Sequence, residues 1–142
     1  MDAKQLELVA QSYGRCCVSQ GFFDTFYNIF LSKNPEIRKM FENTDMKKQK
    51  ELLREGIAFL TTFAKNSPMA VRKIEKLGES HSANRLNVKP SLYPIWVDSL
   101  VEAIKKHDSN FNSDIEKAWR AVVALGISKM SSHYNAPASK AA

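Results

Sequence analysis

His81 is the residue of this chain whose type and setting best suit metal chemistry. It follows Ile74 and Leu77 at steps of three and four residues, so the three side chains share one face of a predicted helix. Two interpretations fit this pattern. His81 is either a packed core histidine with a satisfied hydrogen bond, or an axial ligand, because a haem iron binds a neutral imidazole projecting from an apolar wall. The rest of the chain has to decide between them.

The composition is that of one globular domain. The chain has 142 residues, of which 44% are hydrophobic and 25% charged, which is ordinary for a soluble protein with a sizeable core. No apolar run is long enough to span a membrane. The polar start, residues 1–7, contains two acids and does not resemble a secretory signal. We therefore expect a cytoplasmic protein with no membrane partner.

The net charge of +6 would suit a nucleic-acid partner, but the distribution of the charges does not. Lysines and arginines are spread along the chain and mixed with acids. The densest group, residues 47–50, is followed at once by Glu51, which indicates a solvated helical face and no nucleic-acid partner. The adjacent Cys16 and Cys17 would point about 100° apart on a helix, so we interpret them as structural thiols.

Apolar residues recur at helical spacing along most of the chain, and no segment has the two-residue period of a strand. The predicted helices cover residues 3–20, 22–33, 35–41, 45–66, 68–81 and 90–107, and a last helix that a capping box opens at Ser113. Gly56 is interpreted as the site of a close helix crossing. The pattern predicts one all-α domain over residues 1–134, and residues 135–142 as a disordered tail.

Three segments resemble the globin family, specifically bacterial single-domain haemoglobins and the haem domain of flavohaemoglobins. They are Asn34-Pro35-Glu36-Ile37-Arg38-Lys39-Met40-Phe41, then Leu77-Gly78-Glu79-Ser80-His81, and finally Tyr93-Pro94 with Ala118-Trp119 in the next helix. The resemblance covers roughly residues 5–134. It implies a globin fold of about seven helices packed around a haem pocket, with haem b (iron protoporphyrin IX) as the cofactor.

By this resemblance His81 is the proximal iron ligand and Phe41 is the aromatic residue that stacks on the haem. Leu77 would contact the porphyrin, and three further residues would line the proximal and lower haem edge: Val88, Tyr93 and Trp96. Arg85 is either a partner of a haem propionate or a solvated arginine.

Tyr27 falls where the distal helix of the family points at the ligand site. It lies in the very apolar stretch of residues 22–31, where a phenylalanine would be less costly to bury. A buried phenol hydroxyl needs a hydrogen-bond partner, which is either a bound ligand or a backbone carbonyl.

The distal residue of the following helix should lie four positions before an apolar residue that roofs the pocket. Two registers satisfy this rule: Gln49 with Leu53, and Lys48 with Leu52. Alignment backward from His81 favours Gln49 with Leu53. A Tyr and Gln pair makes a polar pocket, which favours dioxygen over carbon monoxide because bound dioxygen carries partial negative charge.

The chain departs from the flavohaemoglobin pattern on the proximal side. Tyr93 matches a tyrosine that bonds the proximal histidine in that family, but the partner glutamate is missing, since residues 131–134 are Ser-Ser-His-Tyr. No flavin- or nicotinamide-binding segment is present, so any electrons would come from a separate reductase. His107 and His133 lie near helix C-termini and are interpreted as structural.

The leading hypothesis is reversible binding of dioxygen for storage, delivery or scavenging, with nitric oxide and carbon monoxide as other diatomic ligands. The alternatives are nitric oxide dioxygenation with a separate reductase, a haem-based gas sensor, and a haem-free interaction module. The oligomeric state, monomer or homodimer, stays open.

Overall fold

The computed structural model describes residues 2–135 as seven α-helices, with no strand in that range. The helices are α1 (Ala3–Val18), α2 (Phe22–Leu31), α3 (Pro35–Met40), α4 (Met46–Phe63), α5 (Pro68–Ser80), α6 (Leu92–His107) and α7 (Ser113–Ser131). The prediction of an all-α chain with about seven helices is confirmed. Residues 136–142, most of the tail for which disorder was predicted, lie outside the described residues.

Local signals set most of the helix starts. The side chain of Asn34 accepts a hydrogen bond from the Ile37 amide at 2.8 Å and so caps α3. The last start is one residue off the prediction, because Asn112 caps α7 by accepting from the Ile115 amide at 2.9 Å. Asn112 has an extended backbone that lets its side chain reach this amide, whereas the predicted cap, Ser113, is already the first helical residue.

The apolar helix α2 lies at the centre of the fold. Its residues Phe22, Phe26, Tyr27 and Phe30 are buried, and the helix contacts α3, α4 and α6. The long α7 closes the other side by packing on α1, α4, α5 and α6, with the fully buried Trp119 on its inner stripe. Helix α4 touches both α2 and α5, so it is positioned between the two helices that carry Tyr27 and lead to His81.

The close helix crossings occur at glycines other than the predicted one. A Cβ atom at Gly56 would meet nothing within 4 Å, so the interpretation of this residue as a crossing point is wrong. A Cβ at Gly126 would overlap the buried side chain of Leu60, which makes Gly126 the contact point of α7 with α4. At Gly78 a Cβ would lie 2.7 Å from the ring of His133, where α5 meets the end of α7.

Gly56 and Gly126 give opposite expectations for substitution by alanine. Gly56→Ala should raise the free energy of unfolding by up to about 1 kcal/mol, because alanine is the better helix former and the added methyl has free space. Gly126→Ala should lower it, since overpacking a core contact typically costs about 1–3 kcal/mol and outweighs the helix gain. Urea unfolding of both variants measures this, and a stabilised Gly126→Ala would contradict the assigned crossing.

A buried polar network joins α1 to α6 and α7. Asp108, only 3% exposed, accepts hydrogen bonds from Ser12 Oγ at 2.6 Å and from Arg15 Nε at 2.5 Å. Ser12 in turn accepts from the indole N–H of Trp119 at 2.9 Å. The network therefore fixes α1 against the end of α6 and the middle of α7.

Candidate functional site

His81 is the C-terminal cap of α5, and its ring is oriented by the helix itself. The Nδ1 atom lies 2.7 Å from the carbonyl oxygen of Leu77. A carbonyl only accepts hydrogen bonds, so Nδ1 carries the proton. In the neutral ring the other nitrogen, Nε2, then keeps its lone pair, which is the form that a metal ion binds.

The surroundings of His81 favour the neutral ring. Burial lowers the pKa of His81, and the hydrogen bond to Leu77 opposes this only in part. Ser80 adds a second polar contact, because its hydroxyl donates to the same Leu77 carbonyl at 3.0 Å and lies 3.1 Å from Nδ1. This contact of Ser80 was not predicted from the sequence, although the position of Ser80 directly before a candidate ligand was a usable signal.

Tyr27 and Gln49 meet in the interior. The Nε2 atom of Gln49 donates to the hydroxyl of Tyr27 at 3.1 Å, and Tyr27 is only 4% exposed. Burial raises the pKa of Tyr27 to about 12, with the bond from Gln49 opposing the rise, so the hydroxyl keeps its proton at neutral pH. No acceptor for that proton is found among residues 2–135, so the O–H group is available to a ligand.

The two registers considered for α4 differ clearly in burial. Leu53 is 6% exposed and belongs to the core, whereas Leu52 is 50% exposed. Lys48 is exposed at the start of the helix, while Gln49 reaches Tyr27. The contacts of α4 therefore bring Gln49 and Leu53, and not Lys48 and Leu52, towards α2.

Aromatic rings pack against Tyr27 and against one another. Phe41 lies at the end of α3, with its ring centre 5.8 Å from that of Tyr27 and 6.2 Å from that of Phe30. Trp96 packs edge-on against Phe26 at 5.7 Å. Phe41 and Trp96 are only partly buried, so both combine core packing with a free apolar face.

The remaining predicted pocket residues lie on α5, on α6 and in the segment between these helices. Leu77 and Val88 are partly buried against the core, and the Val88 amide donates to the carbonyl of His81 at 2.9 Å. Tyr93 is buried and lines a groove of about 370 Å³ between α6 and α7. Its hydroxyl makes no hydrogen bond within the described part of the chain, and His81 bonds Leu77 instead. Arg85 is exposed.

Two ion pairs brace the loops and helices near these residues. Lys50, next to Gln49, pairs with Asp24 of α2. Lys89, which follows Val88, pairs with Glu36 of α3 at 3.0 Å. All four side chains are about one third to two thirds exposed, so each pair contributes at most about 1 kcal/mol to stability.

The donor set and its surroundings fit a haem. A haem iron already has four porphyrin nitrogens and takes one imidazole from the protein, which His81 can supply. The partly buried faces of Phe41, Leu77, Val88 and Trp96 offer apolar contacts to a flat ring. His107, at the end of α6, has both ring nitrogens engaged in hydrogen bonds, with Ser19 and Thr25.

Comparison with known proteins gives the family of this fold. The family model described as Globin matches residues 24–130. A crystal structure of the protein PA3967 from Pseudomonas aeruginosa, described as structurally highly homologous to a human hemoglobin, is 44% identical. The match covers 92% of this chain and 98% of that protein, with a TM-score of 0.88. None of the helices within residues 2–135 has the length and hydropathy of a membrane span.

Curated bacterial proteins named Flavohemoprotein are also similar. The protein from Bacillus cereus is 30% identical over 83 residues, which is 57% of this chain and 20% of that protein. The protein from Oceanobacillus iheyensis is 32% identical over an alignment of 123 residues, and the match covers 78% of this chain and 28% of that protein. This chain thus spans less than a third of either relative. The family match over most of the chain and the shared fold establish that this protein belongs to the globin family, a membership that implies haem binding.

Proposed function

We propose that this globin binds haem b through Nε2 of His81 and binds dioxygen reversibly beside Tyr27 and Gln49. The observation that supports this most is the direction of the hydrogen bond between Gln49 and Tyr27. Gln49 donates to the oxygen of Tyr27, which leaves the proton of Tyr27 for an acceptor in the pocket. Dioxygen bound to iron is such an acceptor, because it carries partial negative charge.

Bound haem supplies the iron centre for diatomic ligands. The chain supplies the rest of the chemistry. His81 would hold the iron with a neutral imidazole oriented by Leu77, and Tyr27 would donate a hydrogen bond to the ligand. The rings of Phe41 and Trp96 exclude water, which strengthens that hydrogen bond. Nitric oxide and carbon monoxide would enter the same pocket, but carbon monoxide gains less from Tyr27 because it carries less negative charge.

Replacing Tyr27 with phenylalanine tests the distal role. Tyr27→Phe removes one hydrogen bond to the ligand, worth about 1 kcal/mol, so the dioxygen dissociation rate should rise about five-fold. Stopped-flow displacement of dioxygen by carbon monoxide measures this rate. The rate of carbon monoxide dissociation should change less.

Tyr13→Phe is the matched control, since the Tyr13 hydroxyl donates to the Arg54 carbonyl at 2.8 Å and Tyr13 is not one of the proposed pocket residues. Its dissociation rates should equal those of the unmodified protein. Gln49→Leu should also speed dioxygen dissociation, whereas Lys48→Leu should not. Faster dioxygen dissociation from Lys48→Leu, or an unchanged dissociation rate in Tyr27→Phe, would contradict the proposed pocket.

The similarity to flavohemoproteins favours one further candidate function, nitric oxide dioxygenation. Each cycle would consume one dioxygen, one nitric oxide and one electron and yield one nitrate, with the electron supplied by a separate reductase. Sustained nitric oxide consumption after a flavin reductase and its reduced nicotinamide are added would support this function. Consumption that stops after one turnover would leave reversible binding as the function.

A further inference from the structure

The chain that follows α5 folds back onto the end of that helix. We call residues 82–89 the His81 loop. The Leu86 amide donates to the carbonyl of Ser80 at 3.1 Å, and the Val88 amide donates to the carbonyl of His81 at 2.9 Å. The backbone of His81 is thus held by the returning loop as well as by α5, and the position of its ring depends on both.

Tyr134, just after α7, bonds this loop at two points. The Ala83 amide donates to the carbonyl of Tyr134 at 3.0 Å, and the Tyr134 hydroxyl donates to the side-chain oxygen of Asn87 at 2.6 Å. Asn87 has a φ of 53°, in the left-handed region that asparagine tolerates better than most residues. The two bonds reach the beginning and the end of the loop, so Tyr134 restrains it as a unit.

The preceding residue, His133, fixes the same turn against α5. Its ring lies so close to Gly78 that a Cβ there would be 2.7 Å from Cδ2, and the backbone of Met130 would be 3.2 Å away. The buried Nε2 atom of His133 has no hydrogen-bond partner within residues 2–135. A buried unpaired nitrogen is unfavourable, so it is the packing of the ring on α5 that keeps His133 in this position.

We propose that Tyr134, supported by His133, is a positioning residue for His81. Through the His81 loop it holds the backbone that carries the imidazole, and so it sets the geometry of the iron–histidine bond and the affinity for ligands. This role rests on the proposed function of His81 as the iron ligand. This role leaves no local pattern in the sequence, because Tyr134 and Asn87 are 47 positions apart.

Hydrogen exchange of the haem-free protein tests the restraint independently of haem. In Tyr134→Phe the amides of the His81 loop should exchange about five-fold faster, since one hydrogen bond of average strength is lost. Tyr13→Phe is the matched control: it also removes one tyrosine hydroxyl bond, but to Arg54 on α4, and loop exchange should stay unchanged. Equal loop exchange in Tyr134→Phe and the unmodified protein would overturn the proposal.

The iron–histidine stretching band of the reduced, haem-loaded protein tests the positioning. Tyr134→Phe should shift this band and change the rate of carbon monoxide association, while Tyr13→Phe should change neither. Asn87→Gly removes the acceptor and still permits the positive φ, so it should reproduce the shift, and the double variant should shift no further. Unshifted bands in both variants would reduce Tyr134 to a structural role and overturn the proposal.

The two hypotheses fail in different ways. If the unmodified protein shows no iron–histidine band, the proposed function and the positioning role are both overturned. If that band is present but insensitive to Tyr134→Phe, only the positioning role is overturned. In either case the exchange data report whether Tyr134 restrains the loop.

Discussion

Haem affinity should fall by more than about 100-fold when His81 is replaced with glycine, because the iron would lose the protein ligand proposed for it, and even outer-shell changes at metal sites cost 10–100-fold. The variant should still fold, since His81 is a helix cap with an ordinary backbone conformation and its side chain is not part of the core cluster. Titration with haemin, followed by the Soret absorbance of the oxidised, reduced and carbon monoxide forms, measures the affinity.

Imidazole in solution should restore the spectrum of the His81→Gly variant, because it can occupy the space that the side chain leaves. His107→Gln is the matched control: it removes an imidazole that bonds only Ser19 and Thr25, and haem affinity should be unchanged. If His81→Gly keeps a histidine-type spectrum without added imidazole, another residue binds the iron and the proposed site is wrong.

The second large effect is expected at Asp108, which bonds Ser12 and Arg15 of α1. Asp108→Ala should lower the free energy of unfolding by about 3 kcal/mol, because it leaves Arg15 and Ser12 without their buried acceptor. Asp98→Ala is the control, since Asp98 pairs with Arg120 at 2.9 Å but its side chain is 58% exposed. That change should cost less than about 1 kcal/mol. Urea unfolding of the haem-free variants measures both.

The stability difference between the unmodified protein and Asp108→Ala should depend on pH, because it follows the pKa of Asp108. Burial alone raises that pKa, but hydrogen bonds from Arg15, Ser12 and the Asn110 amide, together with the charge of Arg15, lower it below the ordinary 3.8. The ionised carboxylate therefore contributes its full stability above about pH 4, and the contribution is lost as the pH falls through the lower folded-state value. The gap between the unmodified protein and Asp108→Ala should shrink in that acidic range. A gap that widens there would contradict the assigned charge state.

The amino-acid sequence determined the helices because the signals that start and stop them are local. Asn34-Pro35 and Ser67-Pro68 are each a cap residue followed by the first residue of a helix, α3 and α5. The apolar stripe of α7 that includes Trp119 follows from helical spacing alone. The position of His81 at the end of an apolar helical face is a local property too. That pattern predicted an all-α domain, and the resemblance of three short segments to the globin family implied a globin fold, which the family and structure comparisons confirm.

Tertiary structure decided which residues meet across the chain. Spacing permitted both Gln49 and Lys48 to point towards Tyr27, and only the packing of α4 on α2 gives Gln49 the contact. The residue expected at the helix crossing was Gly56, but the crossings use Gly126 and Gly78, because which faces touch depends on how whole helices are oriented.

The longest-range contacts left no signal in the sequence. Asp108 follows a helix end and would pass for a solvated charge, yet it bonds a serine 96 positions away. Tyr134 lies in a polar stretch after α7, yet it bonds the loop whose Val88 amide in turn bonds the carbonyl of His81. Local spacing fixes what each helix presents on its surface, whereas the buried partner of a polar group is set by packing between helices that are distant in sequence.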